Sequence, residues 1–129
     1  MASFRHSILV AAFAVTAAGC GSSPSSPSGG GNDGTIAATI TINAGGVTPK
    51  VVSIPIGSRV TFVNNDNRTH NINSDPHPEH GSCPPLDNVL NMAPGQNRTS
   101  LNFTTARTCS YHDHDNPESA QWTGSITVQ

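Results

Sequence analysis

Arg59-Val60-Thr61-Phe62-Val63-Asn64 is the stretch that decides the fold. Arg59 and Thr61 suit water while Val60 and Phe62 suit a core, which is the period-two signature of a half-buried strand. Pro55-Ile56-Gly57-Ser58 turns the chain into it. Upstream, Ile36, Thr39, Thr41 and their neighbours make a β-branched run that ends at Gly45-Gly46, and Val51-Val52-Ser53-Ile54 continues after Pro49. Downstream, the Pro94-Gly95 turn leads into a second alternation from Arg98 to Thr104, with Leu101 and Phe103 expected inward. Thr108 to His112 and Ser125 to Val128 read as the closing strands. No stretch carries a helical period, and Leu86 to Met92 has room for one turn at most. Short strands at regular spacing, without an internal repeat, indicate an all-β sandwich or barrel. Val60, Phe62, Leu101, Phe103, Ile126 and Val128 are the expected core, each worth about 1.5–3 kcal/mol when fully buried. Tyr111 is expected to join them.

Ahead of this domain lies a different kind of sequence. Met1 to Ser7 carries one fixed positive charge, Arg5, and Ile8 to Ala18 is apolar except for Thr16. As a helix, that run rises to about 16 Å, roughly half a bilayer's hydrocarbon core, so it fits a secretory signal rather than a spanning segment. Ala17-Ala18-Gly19-Cys20 resembles the bacterial lipobox, which implies that residues 1–19 are a signal and that Cys20 is lipidated. Ala17 departs from the leucine commoner there, and the alternative is an ordinary signal with Cys20 incidental. Residues 20–34 follow as a Gly/Ser/Pro-rich tether unable to bury a core. The resemblance places the chain in the cell envelope, anchored to the membrane through lipid. Gly21 after the cysteine favours the outer membrane, facing the periplasm or the cell surface.

Residues 35–129 suffice for one small domain. The whole chain has a formal net charge of -2, and its few cations form no cluster, which argues against nucleic acid as a partner. All but one of the 6 histidines lie between His70 and His114. Of the 3 cysteines, assigning Cys20 to lipid leaves Cys83 and Cys109.

The order of these elements resembles the cupredoxins. The resemblance rests on Val60-Thr61-Phe62-Val63-Asn64-Asn65 running to His70, on Pro94-Gly95, on Phe103-Thr104-Thr105, and on the terminal Gly124-Ser125-Ile126-Thr127-Val128. It covers nearly the whole domain and implies a Greek-key β-sandwich with bound copper. His70 matches the family's first copper ligand. Two registers fit the end of the chain. In the first, Cys109-Ser110-Tyr111-His112 supplies the family's Cys-x-x-His, but no methionine follows, and Trp122 stands at the axial position. In the second, preferred register, Cys109 packs in the core and Asp113 stands where the copper cysteine would be. Arg107 to His114 then resembles the Gly-Thr-x-x-Tyr-His-x-His segment of multicopper oxidases, whose paired histidines bind copper. Histidines two apart on a strand project to the same face, so His112 and His114 could share one metal.

The loop Asp75-Pro76-His77-Pro78-Glu79-His80-Gly81-Ser82-Cys83 adds His77 and His80 three apart, with Cys83 three further on. Its prolines lower the entropy lost when a metal orders it. Imidazole suits copper and zinc, and an added thiolate shifts the preference toward copper(I) or zinc. The expected ligands are His70, His80, Cys83, His112 and His114, with His77 and Cys109 as further candidates. For His77 and His80 the alternative is a solvated surface residue. For Cys83 and Cys109 two readings stay open: a disulfide worth roughly 2–4 kcal/mol, or a thiolate ligand at Cys83 with Cys109 buried. Asp113 and Asp115 are expected to orient imidazoles or face solvent, and Trp122 to pack in the core or cover the site. The functional expectation is copper binding, with zinc as the alternative ion, for electron transfer or copper handling with a redox partner protein. A mononuclear copper enzyme with an open site and a metal-free interaction module are the competing readings.

Overall fold

The computed structural model describes residues 34–129. The expected signal, the expected lipidation site at Cys20 and most of the expected tether lie outside the described residues. β-Branched and aromatic alternation is converted into nine short strands, β1 (Ile36–Asn43), β2 (Gly46–Thr48), β3 (Val51–Ile54), β4 (Arg59–Asn64), β5 (His70–Ser74), β6 (Leu90–Met92), β7 (Asn97–Thr99), β8 (Arg107–Asp113) and β9 (Gly124–Val128). One sheet has the order β2-β1-β4-β7 and the other β3-β9-β8-β5-β6. β1 lies parallel to β4 and β3 parallel to β9, while the remaining neighbours are antiparallel. The expected all-β sandwich is what forms.

Strand parity fills the space between the sheets. Ile40 and Ile42 of β1 and Val60 and Phe62 of β4 meet Ile72 of β5, Tyr111 of β8 and Ile126 and Val128 of β9. Phe62 and Tyr111 pack edge to face at 5.4 Å, the arrangement the ring quadrupoles favour. Burial pushes the Tyr111 hydroxyl well above its ordinary pKa. A helical turn, α1 (Pro84–Asp87), puts Leu86 into this core.

One expectation for the core fails. Leu101 is 37% exposed, because the second alternation ends as a strand at Thr99. The Ser100 N–H still donates to Val60 O at 2.9 Å, and beyond it the backbone bonds irregularly. The Val60 N–H donates to Ser100 Oγ, the Leu101 N–H to Pro85 O and the Phe103 N–H to Ser58 O. Without a ladder, alternation no longer fixes which way a side chain points. Phe103 is buried all the same.

Candidate metal centre

β5 and β8 pair antiparallel, with Ile72 opposite Asp113, Asn73 opposite His112 and Ser74 opposite Tyr111. Alternation then sorts every side chain in the pair. His70, Ile72 and Ser74 share the inner face with Cys109, Tyr111 and Asp113. Asn71 and Asn73 share the outer face with Ser110, His112 and His114. The Asp75 N–H donates to Ser110 O at 3.0 Å, so the pairing runs one residue past β5 and places Asp75 beside His112.

The segment from Asp75 to Cys83 crosses the end of β5 and folds over that outer face. Asp87 holds it there, accepting from the Ser74 N–H (2.7 Å), the Ser74 hydroxyl (3.0 Å) and the Gly81 N–H (3.1 Å). Arg107 donates to Ser82 O at 2.8 Å, and the His80 N–H donates to Pro76 O. At the far end Cys83 is joined to Cys109 by a disulfide across a Cα–Cα distance of 5.7 Å.

This fold-over brings four imidazoles together. His77 and His80 from the loop meet His112 and His114 from β8 and the turn after it, with one ring nitrogen from each within 4.8 Å of the others. His80 Nδ1 donates to Ser74 O at 2.9 Å, which leaves the lone pair of a neutral ring on Nε2, facing His114 Nδ1 at 2.8 Å. His112 Nδ1 donates to Asp75 Oδ1 at 2.6 Å, and its Nε2 is buried without a hydrogen-bond partner. His77 is exposed and His112 buried, with His80 and His114 between. Partial desolvation, and then the like charge that protonated His114, His112 and His80 would carry, hold His77 below the ordinary imidazole pKa. A neutral ring at His77 is the form in which imidazole binds a metal.

Two of the expected ligands, His70 and Cys83, and the further candidate Cys109 are not in this cluster. Cys83 and Cys109 are tied up in their disulfide, so neither is the thiolate that ligation needs. His70 lies on the inner face with both ring nitrogens taken by carboxylates, Nδ1 by Asp113 Oδ2 and Nε2 by Asp66 Oδ2, each at 2.9 Å. The His70 bond is the main cause holding the Asp66 carboxyl below its ordinary pKa. Asp113 also accepts from the Asn71 N–H and from Asn116 Nδ2. Trp122 closes this inner site, its ring 5.2 Å from His70 and Arg68 stacked 4.4 Å over it. The position that the cupredoxin resemblance gives to copper is thus filled by an acid–imidazole–acid chain. His77, expected as a peripheral candidate, is a full member of the outer cluster.

Asp75, Asp66 and Asp87 were not foreseen as contributors. Parity could have exposed part of this. With Tyr111 assigned to the core, His112 and His114 must face outward, whereas His70, two residues before apolar Ile72, must face inward.

No protein-family profile matches the chain, and no curated relative does. Solved structures do. A purple cupredoxin from Nitrosopumilus maritimus is 24% identical with a TM-score of 0.55, the match covering 71% of this chain and 99% of that one. An amicyanin variant is 22% identical at a TM-score of 0.56, covering 72% and 82%. The plastocyanin of Dryopteris crassirhizoma is 18% identical at 0.54, covering 70% and 99%. At these identities the likeness is one of fold.

Proposed function

We propose that this cupredoxin-fold chain is a copper-binding protein of the cell envelope, anchored by lipid at Cys20, and that His77, His80, His112 and His114 hold the ion. The observation that carries the reading is His112 Nε2, a buried polar atom with no partner, among three other imidazoles. An unsatisfied buried nitrogen is costly, and a bound cation would satisfy it. Metal–imidazole bonds are about 2.0–2.1 Å, so nitrogens within 4.8 Å of one another need close by under about 1 Å around an ion. Among divalent first-row ions copper binds such donors most tightly. Amicyanin, one of the fold neighbours, is described in a Cu(I) form.

Copper would supply a one-electron couple at this site. With no thiolate in the cluster, the reading favours copper handling with an envelope partner protein over a blue electron carrier. Copper titration of the purified protein, followed by absorption and electron spin resonance, tests it. One equivalent should bind with weak visible absorption and nitrogen hyperfine structure, and H112A/H114A should abolish it. An intense thiolate-to-copper band would return the site to the cysteines. Preference for zinc in competition would change the ion, and no stoichiometric binding would sink the reading.

A further inference from the structure

We infer that Asp75 is a positioning residue that makes the four-histidine site selective for the oxidised, divalent state of copper. The inference rests on the copper reading above, and its own support is geometric.

The four rings are not backed alike. His80 is backed by a neutral carbonyl, that of Ser74. His112 is backed by a carboxylate at 2.6 Å, and among the described residues Asp75 is the one acid bonded to any ring of the cluster. The contact is built rather than incidental. The Asp75 backbone is pinned on both sides, its N–H by Ser110 O and its carbonyl by the Ser82 hydroxyl. The ring it grips is the most buried of the four, with a side chain 2% exposed.

Two consequences follow from a carboxylate at that atom. A carboxylate only accepts, so a neutral His112 ring keeps its proton on Nδ1 and its lone pair on Nε2, the buried atom without a partner. The negative charge also makes the imidazole a stronger donor. A fixed negative charge stabilises a doubly charged ion more than a singly charged one. Asp75 therefore strengthens the cupric form more than the cuprous form and lowers the potential of the couple.

Asp75→Asn and Asp75→Ala separate charge from positioning, since the asparagine oxygen can still accept from Nδ1. D75N is expected to lose about 10–100-fold in copper(II) affinity, with copper(I) affinity within about threefold of wild type. Each tenfold of that difference raises the potential by about 59 mV. In the metal-free protein, nitrogen-resolved NMR should show His112 as the Nδ1–H tautomer in wild type and a mixture in D75A. Urea unfolding should verify that both variants stay folded. If D75N keeps the wild-type potential and copper(II) affinity while D75A loses affinity, Asp75 only props the ring and the selectivity claim is wrong. Equal losses for both copper states would also overturn it. Wild-type protein that binds no copper would instead refute the underlying reading, while a wild-type His112 bearing its proton on Nε2 would refute the role of Asp75 alone.

Discussion

Removing the Cys83–Cys109 bridge should cost this domain a large share of its stability. The two cysteines are 26 residues apart, and releasing a closed loop of that length frees about 3.5 kcal/mol of unfolded-chain entropy at 25 °C. A small domain has a total of about 5–15 kcal/mol to lose, so the melting temperature should fall by about 15–25 °C. The denaturant slope should rise as well, because the uncrosslinked chain exposes more surface when it unfolds. Trp122 is the one tryptophan and is buried, so its fluorescence reports the transition. C83A/C109A should be compared with wild type reduced by a phosphine, which keeps both sulfurs in place and so separates lost cross-linking from lost packing. If the reduced wild type unfolds within about 1 kcal/mol of the oxidised form, the bonds from Asp87 and Arg107 suffice to hold the loop. The loop-entropy reasoning would then be refuted.

Two other outcomes are expected. His70→Asn should lower the urea midpoint, because it removes the ring that bridges Asp66 and Asp113, yet leave copper stoichiometry at the outer cluster unchanged. A loss of copper binding in that variant would return His70 to the ligand set. The pH dependence of the metal-free protein should carry the sign set by His77. Its pKa is lowered from 6.5 on folding, so its contribution is complete above that value and is lost as pH falls through the lowered one. H77N should flatten that decline in urea midpoints measured across the acid side of neutrality, and an unaltered slope would remove His77 as its cause.

How much of this was legible in the sequence differs by element. Arg59 to Asn64 carried its own orientation, and the structure buries Val60, Phe62 and Asn64 on one side. The His-x-His pair was equally readable, because period two puts His112 and His114 on one face wherever the strand lies. Family position put His70 among the expected ligands, whereas parity puts it on the inner face, away from the four clustered histidines. Its partners Asp66 and Asp113 are polar residues that could as easily have faced water. The cysteine fork could not close from sequence, since it depends on a Cα separation set by how the loop crosses β5. Leu101 went astray because alternation indicates burial only while ladder bonds persist, and the last of those runs from the Ser100 N–H to Val60 O.

The outer-face position of the four histidines has a consequence for the order of events. The core between the sheets is assembled without them, from Ile40, Phe62, Ile72, Tyr111 and Ile126. The core between the sheets can therefore form before any ion reaches the cluster. Two of the four candidate donors ride on a single surface loop, so reaching the cluster requires only a local excursion of that loop, far cheaper than global opening. On the copper reading proposed above, delivery and withdrawal would take place on a domain that is already folded.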